Sequence, residues 1–263
     1  MFVSEQLEGI VDTHRYPLDD AAFRSSCREA LDRDGVLVMR GFLTPGMVDA
    51  VRHEGEVNQH QAFYCTQEHN VYLTPPDPGF DNEHPRNRLM RSSKGCITDD
   101  LVPQRSPLRR LYDSPAFRGF LCEVLGEASL HAYADPLSSI NIHYAKTGQE
   151  LGWHFDNSSF AITLMVQEPE DGGAFEYVGG LRDADAGDMG FDGLRKVLDG
   201  ETRPKRLAMD AGALVLFRGR NALHRVTPVE GERTRMLVVL AYNSSPGVSL
   251  SESARMTFYG RLA

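Results

Sequence analysis

His154, Asp156 and His224 are the residues of this 263-residue chain whose types and spacing most plainly allow chemistry. The first two form an H-x-D pair, and the second histidine follows the aspartate by 68 residues. Two imidazoles and one carboxylate can occupy one face of a six-coordinate ferrous ion and leave three positions open, which is what a non-haem iron oxygenase needs. An H-x-D pair alone is frequent by chance, so its surroundings must support it. If the pair lies on a strand, alternation sends both side chains to the same side, and His224 must reach them from another strand. Arg235 follows His224 by eleven residues, beside the apolar run 236–240. A cation buried there requires an anionic partner, and the planar guanidinium fork matches the two oxygens of a carboxylate. Arg233 competes for that role but lies farther from the apolar run and is expected at the surface.

The elements that must position these residues follow from periodicity. Apolar residues at helical spacing predict an amphipathic helix over 18–33, stopped by Asp34-Gly35 and followed by a buried strand at 36–39. Thr44-Pro45 reads as an N-cap and first helical residue, with a helix running toward His60. Residues 64–107 are rich in proline and poor in periodicity, so they are expected to lack regular structure and to fold over the mouth of the site. A single helix is predicted over 107–125, with Gly126 as its C-cap. Short strands are then predicted at 130–133, 139–144, 160–167, 173–178, 213–217, 223–226 and 236–242, interrupted by an insertion at 183–202 with a short helix at 192–198. Helices followed by many strands with glycine turns predict an α+β chain whose catalytic part is a sandwich or barrel. One domain over 1–263 is expected, with helical and strand support in 1–128 and a metal-binding core at about 129–245.

Hydrophobic residues at 41% and charged residues at 25% permit a sizeable core and argue against disorder. A formal net charge of −9 argues against a general nucleic-acid binder, which must displace counterions with cationic surface. A local basic cluster of Arg86, Arg88, Arg91 and Lys94 is read either as a carboxylate-capturing patch or as a solvated loop. Cys27, Cys65, Cys96 and Cys122 form no C-x-x-C pair and are read as reduced thiols of a cytoplasmic protein. No stretch reaches the ~18 apolar residues of a membrane span, and the first residues carry acids rather than a signal-peptide core.

Three blocks of sequence, Gly152-Trp153-His154-Phe155-Asp156, Gly172-Gly173-Ala174-Phe175-Glu176-Tyr177 and Leu216-Phe217-Arg218-Gly219-Arg220-Asn221, narrow the reading. The chain resembles the Fe(II)/2-oxoglutarate-dependent oxygenases over roughly 35–245, and within them the BesD/HalD-like group of radical amino-acid halogenases and related hydroxylases. The resemblance implies a double-stranded β-helix (jelly-roll, cupin-like) core with N-terminal and flanking helices. It also implies Fe(II) on His154, Asp156 and His224, 2-oxoglutarate as cosubstrate with its distal carboxylate on Arg235, and O2 as oxidant. Halogenases of that group carry a small residue where this chain has Asp156, leaving a place for chloride. With the carboxylate present, the implied outcome is hydroxylation of an unactivated C–H of a free amino acid or amino-acid-like small molecule, releasing succinate and CO2. Two other readings stay open: tailoring of a larger metabolite or a carrier- or peptide-linked amino acid, and a non-catalytic cupin-like metal-binding protein. A carboxylate clamp at Arg235 weighs against the last.

Further candidates follow from the same resemblance and from charge. Asn141 and His143, on the predicted strand 139–144, are candidate contacts to 2-oxoglutarate, against the alternative of hydrogen-bonded core residues. Trp153, the only tryptophan, packs either beside the iron or within the core. An amino-acid substrate needs a cation for its carboxylate and acceptors for its amine, for which Arg91, Asp135 and Asn243 are the candidates, together with Trp153. Arg218, Arg220 and Asn221 are second in rank, because Gly219 between them suggests a tight turn. The expected partner is a small molecule, with no nucleic acid and no membrane; a homodimer is compatible with the sequence but not required by it.

Overall fold

The computed structural model describes residues 7–263. Asp20 accepts a hydrogen bond from Phe23 N to start α1 (Ala21–Asp34), and Gly35, at φ 70°, ends it in the left-handed region that favours glycine. Strand β1 (Val36–Met39) and helix α2 (Pro45–Asn58) follow, the latter with proline in its first turn. The proline-rich segment is not structureless: β2 (Phe63–Asn70) and β3 (Leu89–Ile97) form an antiparallel pair with Cys65 opposite Lys94 and Gln67 opposite Ser92. The prolines at 75, 76, 78 and 85 are confined to the connection between them. The single helix expected over 107–125 is two, α3 (Pro107–Tyr112) and α4 (Pro115–Leu125). Ser114 caps the second by accepting from Phe117 N, and Pro115 occupies its first turn, so the chain restarts rather than continues.

The remaining elements are β4 (Ile140–Ala145), β5 (Leu151–His154), β6 (Ala161–Gln167), β7 (Asp171–Gly172), β8 (Phe175–Val178), α5 (Phe191–Leu198), β9 (Lys205–Leu207), β10 (Leu214–Phe217), β11 (Leu223–Val226), β12 (Val229–Glu230), β13 (Arg235–Leu240) and α6 (Glu252–Tyr259). Residues 130–133, expected as a strand, contribute only an isolated bridge between His131 and Asn243. Helix α6 was not foreseen.

Eleven strands make one antiparallel sheet in the order β1-β10-β6-β13-β4-β3-β5-β11-β8-β9, with β2 added to β3; β7 and β12 pair separately. Strand β3 turns the corner. Its residues Gly95 to Ile97 pair with β4, whereas Ser92 pairs with Leu151 of β5. The sheet therefore curls into two leaves, β1-β10-β6-β13-β4 and β5-β11-β8-β9, in the jelly-roll manner.

Alternation divides the work of the larger leaf. Ile142, Tyr144, Ile162, Leu164, Leu216 and Val238 join the main apolar core with Phe117, Phe120 and Leu31 of the helices. His143, Thr163, Val215, Arg235, Leu237 and Val239 point the other way and line a cavity between the leaves. A polar residue in these strands therefore faces either the helices or the site, and its position in the alternation decides which.

Candidate metal centre and cavity

Strands β5 and β11 bring the two histidines together. His154 lies directly opposite His224 in the ladder, and the ring centroids are 4.2 Å apart. Each ring is fixed by its own backbone two residues earlier: His154 Nδ1 lies 2.8 Å from Gly152 O, and His224 Nδ1 lies 3.0 Å from Ala222 O. A carbonyl can only accept, so Nδ1 carries the proton and donates, leaving Nε2 with a free lone pair. Strand β5 ends at His154, so Asp156 does not extend a regular strand as the sequence suggested. It is carried just beyond, by main-chain bonds from Phe155 N to Val71 O at 2.8 Å and from Asp156 N to Gly219 O at 3.1 Å.

Asp156 Oδ1 nonetheless stands 3.4 Å from His224 Nε2 and 3.9 Å from His154 Nε2. One donor atom from each of the three residues lies within 4.8 Å of the others. Asp156 Oδ2 is buried with no hydrogen-bond partner, and a buried carboxylate oxygen is rarely left so. Gly219 makes room for it: a Cβ there would lie 2.6 Å from Asp156 Cγ and 3.0 Å from its Cβ. This glycine supplies space rather than a turn conformation, since it does not adopt a positive φ.

The local electrostatics favour a cation. Burial raises the Asp156 carboxyl, but the charge and hydrogen bond of His224, with His154 adding, outweigh it and hold the group below its ordinary range. Burial and the neighbouring His224 lower His154, keeping it neutral. Burial acts the same way on His224, but the adjacent carboxylate overcomes it and raises that imidazole above its usual value. A metal ion would take the place of the proton that His224 and Asp156 compete for. Around the three residues, the Phe175 ring stacks at 5.5 Å on His224, and Phe217 meets it edge-on at 4.9 Å. Arg182 donates to Asp156 O at 3.3 Å and Arg220 O at 2.6 Å while lying 4.2 Å over the Phe155 ring, so it fixes the backbone that carries the carboxylate.

These groups open into a cavity of about 820 Å³. Arg235 forms part of its wall and is 4% exposed. Its Nε donates to Gly173 O at 3.1 Å, and burial lowers its pKa to about 10. Among the described residues no carboxylate forms an ion pair with it. Arg233 is exposed and donates to Pro169 O at 3.0 Å. His143 also lines the cavity, with Lys94 Nζ 3.3 Å from its ring nitrogens. Asn141 does not line it: its amide donates to Leu137 O and Ile140 O, and its carbonyl accepts from Tyr259 OH at 2.9 Å.

The structure does not bring the other substrate candidates to the wall. Trp153 alternates away from His154 into an apolar cluster with Tyr72, Phe155 and Leu194, and Arg225 lies 4.6 Å over its ring. Arg91 is exposed opposite Glu68, on the other face of β3 from Ser92 and Lys94. Asp135 is a buried clamp, accepting from Leu137 N, Ser138 Oγ and Leu250 N. Asn243 forms a backbone bridge with His131, its Nδ2 buried without a partner. The basic cluster also comes apart: Arg88 pairs with Asp199 at 2.5 Å, Arg86 donates to Pro75 O, and Lys94 alone enters the cavity. Arg218 pairs with Asp32, Arg220 with Asp185, and Asn221 accepts from Ala184 N, so these second-rank residues tie loops together.

Several cavity residues carried no sequence signal. His69 bonds Ser92 Oγ at 2.7 Å and meets the His154 ring edge-on at 6.2 Å. Gln67 and Cys65 alternate with it on β2, and Ser253, Ala254, Thr257 and Phe258 of α6 close the far side.

Solved structures of 2-oxoglutarate/Fe(II) oxygenases share this curled antiparallel sheet. A carbocyclase, SnoK from nogalamycin biosynthesis, described as non-haem and α-ketoglutarate-dependent, matches with a TM-score of 0.59 and 14% identity, covering 88% of this chain and 89% of that one. A 2OG-Fe(II) oxygenase family oxidoreductase from Burkholderia pseudomallei gives 0.53 and 14% over 86% and 93%. A prolyl-4-hydroxylase from Pseudomonas putida gives 0.51 and 14% over 82% and 96%. No curated sequence matches the chain. The family model Halogenase D (HalD) matches residues 80–257, about two thirds of the length, and the chain belongs to that family.

Proposed function

We propose that the protein is an Fe(II)/2-oxoglutarate-dependent hydroxylase acting on an unactivated C–H of a free amino acid or amino-acid-like small molecule. The observation that carries this is Asp156. Its carboxylate lies against both imidazoles with one buried oxygen unpartnered, and the Gly219 cradle gives it the space. The donor set suits ferrous iron, and His154, Asp156 and His224 would hold it. A carboxylate in that position leaves no vacancy for halide, so the reading is hydroxylation although the family model bears a halogenase's name.

A ferrous ion held there would supply O2 activation, with O2 as the oxidant whose two oxygen atoms are shared between succinate, formed with CO2 from 2-oxoglutarate, and the hydroxylated substrate. The chain contributes placement. Arg235 offers a buried cation to the distal carboxylate of the cosubstrate, and the apolar wall of Leu237, Val239, Phe175 and Phe217 excludes water. A cavity of about 820 Å³ accommodates a small molecule beside the cosubstrate. The fold alone does not select the substrate, because it is shared by a carbocyclase and prolyl hydroxylases. Among the described residues no helix is long and apolar enough to cross a membrane.

The test is anaerobic reconstitution with Fe(II) and 2-oxoglutarate, then exposure to O2 across an amino-acid panel with mass spectrometry. Substrate-dependent succinate and a product one oxygen heavier are expected. Turnover only with carrier- or peptide-linked substrates would transfer the activity to the larger class, and absence of metal-dependent 2-oxoglutarate binding would sink the assignment.

A further inference from the structure

Lys94 is the one residue of the basic cluster that enters the cavity, and its environment is unusual for an ammonium. Its Nζ stands 3.3 Å from both ring nitrogens of His143 and 5.5 Å from the centroid of the Phe258 ring. Among the described residues no carboxylate forms an ion pair with it, and His143 is its only hydrogen-bonding neighbour. An ammonium carries three donors, and equal distances to two nitrogens of one ring allow at most one good bond. Burial and the two nearby cations, Lys94 and Arg235, keep His143 neutral, so it accepts from Lys94 and adds no charge of its own. The remaining donors of Lys94 have the cavity to point into.

The sheet separates this cation from the other one. Arg235 pairs with Ala145 of β4, and Gly95, next to Lys94, pairs with Tyr144 on the opposite side of the same strand. Lys94 and Arg235 therefore start from strands on either side of β4, about 9 to 10 Å apart at the backbone. Arg235 is held toward Gly173 O, whereas the Lys94 ammonium turns to the wall made by His143 and α6.

We infer that Lys94, backed by His143, is the receptor for a carboxylate of the prime substrate. The inference rests on the proposed function, for this reason: 2-oxoglutarate brings two carboxylates, of which one belongs at the metal and the other at Arg235. A second unpaired cation across β4 then needs an acid that the cosubstrate does not supply. It replaces Arg91, which faces away, as the anchor for an amino acid's carboxyl group, and it favours substrates whose carboxylate is free over those in which it is an amide or ester.

The test compares acids with their amides. Protein loaded anaerobically with Fe(II) and 2-oxoglutarate, and separately the metal-free protein, is titrated by calorimetry with a panel of L-amino acids and with the carboxamide of the tightest binder. A charge-assisted contact should make the acid bind about 10- to 100-fold tighter than its amide. Lys94→Met should erase that ratio and leave 2-oxoglutarate binding unchanged, while Lys94→Arg should keep part of it. The wild-type ratio needs no variant, so it stands even if Lys94→Met fails to fold. Equal binding of acid and amide, no binding of any acid, or a Lys94→Met variant that loses 2-oxoglutarate instead would each overturn the receptor. Failure of the proposed function reads out separately, as absent metal-dependent 2-oxoglutarate binding.

Discussion

Gly219→Ala tests whether the carboxylate position is built by space. A methyl at this residue would meet Asp156 Cγ at 2.6 Å, against an ordinary carbon–carbon separation of about 3.5 Å. Something must therefore move by about 1 Å. The loop is the less free partner, because Asp156 N donates to Gly219 O, Arg218 pairs with Asp32, and Arg220 bonds both Asp185 and Asn157 O. The Asp156 side chain, outside any strand ladder and without a partner on Oδ2, is what yields. Disturbing the support of a metal ligand typically costs about 10- to 100-fold in metal affinity, or about 1.4 to 2.8 kcal/mol. The assay is anaerobic Fe(II) titration against a competing chelator, with circular dichroism to confirm that the sheet is intact. Iron affinity equal to that of the unaltered protein, with the fold preserved, would refute the reasoning and remove Asp156 from the proposed ligand set.

Arg235→Ala should raise the KM for 2-oxoglutarate by about 10- to 150-fold, the worth of a hydrogen-bonded charge, while leaving iron affinity intact; an unchanged KM in succinate-release kinetics moves the clamp elsewhere. Asp156→Gly should weaken iron binding by more than the roughly 10- to 100-fold expected when only the support of a ligand is disturbed, and make what remains sensitive to chloride, because a position beside two imidazoles is vacated. Chloride-independent iron binding, followed spectroscopically, would contradict that. Asp135→Ala should lower the thermal midpoint, since stranding the buried donor Leu137 N costs about 1 to 3 kcal/mol and the half-buried Leu250 N loses its partner as well. Substrate KM should not move; a raised KM without loss of stability would return Asp135 to the substrate site.

The parts of this fold that were legible are those whose side chains sort cleanly by face. Strands β4, β6, β10, β11 and β13 bury one face against the helices and turn the other to the cavity, so apolar runs announce them within a residue or two. Strands β2 and β3 do not. Thr66-Gln67-Glu68-His69-Asn70 and Arg91-Ser92-Ser93-Lys94 are polar on both faces, one toward solvent and one toward the site, and the nearby prolines masked them. The break at Ser114-Pro115 was written in the sequence as a cap followed by proline, and helical periodicity on both sides hid it. The cluster of His154, Asp156 and His224 was readable because residue type and spacing carry the chemistry. The substrate candidates were not, because charge says nothing about facing: Arg91 and Lys94 are three residues apart on β3, and only one looks inward.

The two imidazoles and the carboxylate are not equivalent parts of the architecture. His154 and His224 belong to a hydrogen-bonded ladder, and each ring is pinned by its own backbone, so the sheet itself holds both imidazoles in place. Asp156 lies beyond the end of the strand, held by its own N–H on Gly219 O and by Arg182 on its carbonyl, and its side chain meets the fold only at the two imidazoles and the Gly219 cradle. Under the proposed function, exchange of that one side chain would open a position beside the two imidazoles while the ladder that carries them stays the same.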